Sequence, residues 1–136
     1  MDTREIALDM HRKWQGKIEI KSRATVENRE ELSIAYTPGV AQPCLEIARD
    51  KAFTSAAMRM STEELAGLCK PGGSLYGLQH TNGGRIVIFG GGVPLVEGNR
   101  LVGGFGVSGG TAEQDTNLAN YALKVFSAGI REEYSR

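Results

Sequence analysis

The chain has 136 residues and carries 16 basic and 16 acidic side chains, so its formal net charge is zero. A chain of this length forms about one domain, and a zero net charge provides no electrostatic excess for binding a nucleic acid or an anionic membrane. No apolar run approaches the roughly 20 residues that cross a bilayer, and the opening sequence Met-Asp-Thr-Arg-Glu lacks the layout of a signal peptide, so we expect a cytoplasmic protein.

The first sixty residues predict two helices with a pair of strands between them. A short first helix ends at Gly16. Residues 17–21 alternate between polar and apolar, as in a strand with one buried face, and a second strand covers residues 32–36. Residues 36–43 contain two prolines and a glycine, which predicts a loop. Apolar residues at intervals of three and four over residues 44–60 predict a central, well-buried helix.

The remainder of the chain predicts two more helices and a strand hairpin. Ser61 with Glu64, and Thr111 with Gln114, each fit a capping box, in which two side chains satisfy free amides at a helix start. Between these boxes the sequence predicts a long glycine-rich loop over residues 70–84. It also predicts strands over residues 85–89, 93–96 and 101–107, with a tight turn at residues 97–100 between the last two.

The predicted element order is α-β-β-α-α-β-β-α. Strands joined by hairpin-length connections pair antiparallel. We therefore predict the α/β (α+β) class, with a single antiparallel sheet of about four to five strands and helices packed on it.

The two cysteines, Cys44 and Cys69, are too far apart for a C-x-x-C pair and too few for a disulfide framework. Free cysteines are commonly buried and behave as small apolar side chains. We therefore interpret both as buried core residues.

Four motifs in the later part of the chain carry a family resemblance. They are I-A-R-D-K-A-F-T-S-A at 47–56, K-P-G-G-S-L-Y-G-L at 70–78, R-I-V-I-F-G-G-G-V-P at 85–94 and G-V-S-G-G-T-A-E-Q-D at 106–115. Over about residues 45–126 the chain resembles the GlcG/HbpS-like family, which includes the carboxy-terminal domain of PduO-type proteins. The resemblance implies a five-stranded antiparallel sheet, assembly into homo-oligomers and, for some members, haem binding or a role in haem breakdown.

The first fifty residues resemble a different family. A-L-D-M-H-R-K-W-Q-G-K-I-E-I at 7–20 and R-E-E-L-S-I-A-Y-T-P-G-V-A-Q-P-C-L-E-I-A at 29–48 are similar to the amino-terminal segment of bacterial malic enzymes. The two resemblances overlap within residues 45–50, which indicates a fusion of unrelated pieces. We expect one domain over residues 1–136, in which the malic-type segment supplies the first half of a GlcG/HbpS-like fold.

Tyr36 lies where the resemblance implies the catalytic acid of a malic enzyme. The lysine base, the metal ligands and the dinucleotide-binding domain of that family all lie downstream of the shared segment. This chain departs from the family after Asp50 and has no strand-to-helix G-x-G-x-x-G unit. We therefore expect no malic enzyme activity and interpret Tyr36 as a packing residue at a strand end, and we assign no catalytic residue.

The long loop and the glycine-rich strands are the candidate ligand site. If the ligand is haem, His80 is the better of two candidate axial ligands of the iron and His11 is the weaker one, since imidazole is a common donor. The alternative for His80 is a solvated loop histidine. Gly91 and Gly92 either let a flat ligand approach the sheet or form a bulge that bends it.

The start of the last helix completes the candidate site. Ser108, Gly109, Gly110 and Thr111 precede a helix whose first turn exposes amides and the positive end of the helix dipole, which suits a carboxylate such as a haem propionate. The alternative is that the glycines permit a sharp turn and the capping box already occupies these amides. Glu113 and Asp115 fall in the first turn of this helix, where negative charge complements the helix dipole. If a reaction occurs, Glu113 is the candidate base.

Three functions remain open at this stage. The leading hypothesis is a protein that binds haem or another small ligand, or that handles haem, and that forms homo-oligomers. The second is a non-catalytic oligomeric scaffold or sensor, in which the glycines serve packing alone. The third is a truncated malic-enzyme-like protein without dehydrogenase activity that binds small dicarboxylates. Residues 49–51 on the central helix are candidate subunit contacts.

Overall fold

The computed structural model describes residues 22–27, 30–36 and 42–134, and the side chains of residues 43–127. The elements run in the order β1 (Ser22–Glu27), β2 (Glu30–Tyr36), α1 (Gln42–Met58), α2 (Thr62–Cys69), β3 (Gly92–Glu97), β4 (Arg100–Ser108) and α3 (Ala112–Tyr134). Two short 3-10 turns, Leu78–His80 and Asn82–Gly84, lie between α2 and β3. The predicted first helix and the predicted strand over 17–21 fall outside the described residues.

The four described strands form one antiparallel sheet in the order β2-β1-β4-β3. Two hairpins, β1-β2 and β3-β4, meet in the middle of the sheet, where Ser22 of β1 lies opposite Ser108 of β4 and Val26 lies opposite Gly104. The strands of the malic-type segment are thus part of the same sheet as β3 and β4. The predicted fold class is confirmed.

The two faces of β4 differ in side-chain size, and each face receives one helix. A side-chain carbon added at Gly104 or Gly106 would overlap the carbonyl oxygens of Ala52 and Ala48, so only glycine lets α1 lie this close to the sheet. The opposite face packs against α3 in one apolar cluster, made of Val93, Leu95, Phe105, Val107, Leu118, Ala119, Ala122 and Phe126. The sheet therefore lies between α1 and α3.

Helix α1 begins and ends two residues before its predicted limits. Pro43, which the sequence assigned to a loop, lies in the first turn of the helix, where a missing amide hydrogen costs nothing because it would have no partner there. The helix ends at Met58 because Arg59 adopts a left-handed conformation with φ of 56°. Such a residue ends many helices, although glycine is the usual choice.

Residues 85–89 do not form the predicted strand. The amide of Val87 donates to Thr54 Oγ1 of α1 at 3.0 Å, and this hydroxyl donates to the carbonyl of Arg85 at 3.1 Å. Ile86 packs with Leu65 and Cys69 of α2 in a second apolar cluster. Because a helix side chain satisfies these backbone groups, the segment lies along the helices and does not join the sheet.

The turn predicted at residues 97–100 is confirmed. It joins β3 to β4, and Gly98 adopts a φ of 61°, which glycine tolerates and other residues rarely do. The prediction for the cysteines holds for one of them only. Cys69 is buried, whereas Cys44 near the start of α1 is half-buried, because the first turn of α1 is more exposed than the helix centre.

Candidate functional site

A buried ion pair lies at the end of the sheet where β3 begins and β4 ends. Lys51 Nζ of α1 is 3.1 Å from Asp115 Oδ2 of α3, and it also donates to the carbonyl oxygen of Val107 at 2.8 Å. The side chains are 0% and 4% exposed. One ammonium group therefore joins both helices to the sheet between them.

The turn that leads from β4 into α3 is tied to the same ion pair. The amide of Gly110 donates to Asp115 Oδ1 at 3.1 Å, so the carboxylate accepts from Lys51 with one oxygen and from the turn with the other. Gly91 directly precedes β3, and its carbonyl oxygen accepts from the amide of Val107 at 2.8 Å. The position of the turn thus depends on both charges.

Burial shifts both groups away from their charged forms. Burial lowers the pKa of Lys51, and the nearby Asp115 carboxylate opposes this shift. Burial raises the pKa of Asp115, opposed by the Lys51 ammonium and the Gly110 amide. The Lys51 side chain is completely buried and is bound to both Asp115 and Val107, so its role is structural.

An aromatic ring covers this cation. The Phe89 ring centroid is 4.9 Å from Lys51 Nζ, within the range of a cation–π interaction. Phe89 is 46% exposed, so its ring lies between the buried ammonium and solvent.

The predicted ligand-contact glycines of the sheet lie next to the ion pair, and close packing accounts for both. A side-chain carbon at Gly91, whose φ is 127°, would lie 2.6 Å from the carbonyl oxygen of Val107 and 2.7 Å from Lys51 Nζ. At Gly92 it would lie 2.5 Å from the carbonyl oxygen of Lys51. Contact of either glycine with a ligand stays a prediction.

The predicted capping box at the start of α3 is confirmed. The amide of Thr111 donates to Gln114 Oε1 at 3.0 Å, and the amide of Gln114 donates to Thr111 Oγ1 at 3.1 Å. With Gly110 bound to Asp115, three amides near this helix start already have partners within the protein. Among the other predicted residues of this region, Ser108 is buried, Gly109 and Gly110 are half-buried, and Thr111 and Glu113 are exposed.

His80 lies at the end of a 3-10 turn and is exposed. Its backbone amide donates to the carbonyl of Gly77 at 3.0 Å. Leu75 and Leu78 of the same loop pack against the second apolar cluster, the one that contains Leu65 of α2. The structure therefore gathers the predicted glycines and the start of α3 around Lys51, and it places His80 on the loop over the second cluster.

Sequence reasoning missed the ion pair and the ring above it. Lys51 was a candidate subunit contact, and this assignment is wrong because its side chain is 0% exposed. A signal existed, since Lys51 falls on the same helical face as Ala48, Ala52 and Ser55, all of them buried. Asp115 was interpreted only as a charge that complements the helix dipole.

An open depression of about 630 Å³ lies over β3 between α2 and α3. Its lining includes Arg59, Glu63, Glu64, Pro94, Asn120 and Leu123, and none of the predicted site residues. Within the described part of the chain, no three His, Cys, Asp or Glu side chains cluster in a way that could hold a metal ion. No helix in that same part has the length and apolar character to cross a membrane.

The family model described as "Haem degrading protein HbpS-like" matches residues 7–124 of the chain. This match confirms the resemblance found in the sequence and extends it across most of the malic-type segment. The similarity to malic enzymes is partial. The bifunctional malic/malolactic enzyme of Bacillus subtilis is 52% identical over 50 residues, which are 37% of this chain and 12% of that enzyme.

Among curated proteins, the chain is 51% identical over 82 residues to an uncharacterized 15.0 kDa protein from the dhaT-dhaS intergenic region of Citrobacter freundii. The match covers 60% of this chain and 58% of that protein, so the chain spans less than two thirds of this relative's length.

Two crystal structures of other proteins are similar to this chain over most of their length. Protein ORFY of Klebsiella pneumoniae is 35% identical with a TM-score of 0.85, covering 92% of this chain and 87% of its own. The PduOC:heme complex is 32% identical with a TM-score of 0.78, covering 89% and 86%.

Proposed function

The chain belongs to the family described as haem degrading protein HbpS-like, and on that premise we propose that it binds haem as a small ligand. One observation carries the proposal. A protein with which this chain shares 32% identity and nearly its whole fold is a haem complex. Haem handling beyond binding, such as breakdown, is not part of the proposal, because no catalytic residue is assigned.

The residues that would hold haem are those of the loop and of the turn into α3. His80 fits as an axial ligand because its side chain is exposed and imidazole is a common donor to haem iron. Gly109 and Gly110 are half-buried and Thr111 is exposed, and all three lie at a helix start, where the helix dipole favours a carboxylate such as a haem propionate. Gly91, Gly92, Ser108 and Glu113 complete the proposed ligand-binding set. Bound haem would supply the iron centre, and the chain would supply its ligand and its polar contacts.

The setting of the site is also part of the proposal. We infer that the protein is cytoplasmic, that residues 1–136 form one domain, and that copies of the chain assemble into a homo-oligomer. The pairing of β1 with β4 supports the single domain, because the malic-type segment contributes a central strand. The balanced charge of the chain supports the absence of nucleic-acid and membrane partners.

Titration of the purified protein with haemin tests the function. We expect a saturable shift of the Soret band with one haemin per chain. The chain has two histidines, so His80→Ala has a matched control in His11→Ala. His80→Ala is expected to change the Soret position and the spin state, and His11→Ala is expected to change neither. A titration without any saturable Soret shift would refute haem binding.

A second function has specific support. Gly91 and Gly92 are closed in by protein atoms, and the capping box occupies its own amides, so packing alone accounts for these residues. This favours a non-catalytic oligomeric scaffold or sensor. That function predicts no Soret shift, together with a discrete oligomer in sedimentation analysis.

A further inference from the structure

We propose that Phe89 is the platform on which the flat face of the ligand stacks, while the acidic edge of the same ligand lies at the turn that leads into α3. The inference rests on the proposed haem-binding function and assigns its apolar contact. The ligand class is a planar tetrapyrrole that carries carboxylates.

The first support is the fixed position of the Phe89 ring. A buried ammonium, Lys51 Nζ, lies 4.9 Å from the ring centroid and attracts the electron-rich face of the ring. Lys51 itself cannot move easily, because it is held by Asp115 at 3.1 Å and by the carbonyl of Val107 at 2.8 Å. A ring held in place in this way loses little freedom when a ligand stacks on it.

The second support is the backbone on both sides of Phe89. Gly90 is buried, and a side-chain carbon there would overlap Thr116 of α3. Ile88, on the other side, packs against the second apolar cluster. The segment is therefore anchored by two parts of the core, yet Phe89 remains 46% exposed between these anchors.

The third support is the neighbourhood of the ring. The ammonium that Phe89 covers also binds Val107, which directly precedes Ser108, and Asp115, which holds the amide of Gly110. An exposed aromatic ring and a polar turn are therefore both connected to one buried cation. A tetrapyrrole has the matching character, with an apolar face and carboxylates along one edge.

The test compares two ligands and three variants. Haemin and iron-free protoporphyrin IX are titrated separately, because stacking does not depend on iron whereas ligation by histidine does. Phe89→Ala removes the ring, and Phe89→Leu keeps apolar bulk without an aromatic face. Val96→Ala is the matched control, since Val96 is another exposed large apolar residue, at 39%, and lies at the end of β3 away from Lys51, outside the proposed ligand-binding set.

We expect Phe89→Ala to weaken both ligands by at least about ten-fold, as removal of a stacking aromatic residue commonly does. Phe89→Leu should weaken both by a smaller factor, and Val96→Ala should weaken neither. If the unaltered protein binds haemin and both Phe89 variants bind as tightly as it does, the stacking inference is wrong and haem binding stands. If the unaltered protein binds neither ligand, haem binding and the stacking inference are both wrong. Circular dichroism of each variant establishes that it is folded, and Phe89→Leu decides the matter if Phe89→Ala does not fold.

Discussion

Lys51 and Asp115 are separated by 64 positions in the sequence, and their side chains form a buried ion pair with an Nζ–Oδ2 distance of 3.1 Å. The pair connects α1 to the first turn of α3 at one end of the sheet. Removing two charges from water is costly, and their mutual attraction repays this cost only while both partners are present. The pair is therefore a point at which the fold is sensitive to a single substitution.

The first prediction concerns removal of one charge. Lys51→Met keeps much of the side-chain volume but leaves the Asp115 carboxylate buried without its cation. We expect the free energy of unfolding to fall by about 3–5 kcal/mol. Equilibrium unfolding in guanidinium chloride measures this change.

The control is the double variant Lys51→Met with Asp115→Asn. It removes both charges, and the side-chain oxygen of asparagine still accepts from the amide of Gly110. We expect the double variant to be more stable than Lys51→Met alone. A loss below about 1 kcal/mol in Lys51→Met would show that the pair does not hold the two helices together.

The second prediction is a pH dependence of stability. Burial lowers the pKa of Lys51 below its ordinary value of 10.5. At a pH between the folded-state pKa and 10.5, Lys51 is therefore protonated in the unfolded chain but not in the folded chain. In this window the stability of the fold rises with pH. Burial raises the pKa of Asp115 above its ordinary value of 3.8. At a pH between 3.8 and the folded-state pKa, Asp115 is therefore protonated in the folded chain but not in the unfolded chain. In this window the stability of the fold rises as the pH falls.

The measurement is the difference in unfolding free energy between the natural chain and the double variant, since other titrating groups cancel in it. We expect this difference to favour the natural chain least near neutral pH and more toward either end. A difference that is largest near neutral pH would mean that attraction within the pair outweighs the cost of burying it.

Local signals in the sequence are sufficient for the starts of α2 and α3 and for the tight turn. The capping box at Thr111 is present with both of its hydrogen bonds, and at Ser61 the hydroxyl accepts from the amide of Glu64, three positions on, without a return bond from the Glu64 side chain. The turn at Gly98 needs only a residue that tolerates positive φ. Such features are set by short-range geometry, so a sequence pattern predicts them well.

Long-range partners decided the features that the sequence did not predict. Residues 86–89 are apolar and have strong strand propensity, yet the Thr54 hydroxyl of α1 accepts from the amide of Val87 and keeps the segment out of the sheet. The helical pattern places Lys51 on a buried face, but nothing local identifies Asp115, 64 positions away, as its partner. Phe89 was assigned to a strand, so its place above the buried ammonium was not foreseen.

The third prediction concerns the contact between the sheet and α1. Gly106→Ala would place a side-chain carbon against the backbone carbonyl oxygen of Ala48, which yields only if the helix shifts. Overpacking of this kind costs typically 1–3 kcal/mol, and here backbone must move, so we expect about 3 kcal/mol or more. Thermal and chemical unfolding both report this loss.

Gly67→Ala is the matched control for that substitution. Gly67 lies within α2, is exposed, and an added carbon would meet nothing within 4 Å. Alanine has the higher helix propensity, so we expect stability to increase by roughly 0.5–1 kcal/mol. Equal effects of the two substitutions would contradict the close approach of α1 to the glycine face.

The fourth prediction separates the structural role of Thr111 from its proposed role in ligand binding. Thr111→Ala and Ser61→Ala each remove a side-chain oxygen that accepts from an amide in the first turn of a helix, from Gln114 and from Glu64 respectively. We expect each to lower the free energy of unfolding by about 0.5–2 kcal/mol, because both leave one amide without its partner. Only Thr111 adjoins the turn proposed to meet the propionates, so only Thr111→Ala should also weaken haemin binding. If both variants lose equal stability and bind haemin as tightly as the natural chain, the hydroxyl of Thr111 serves the helix alone, and the carboxylates of the ligand must be bound elsewhere.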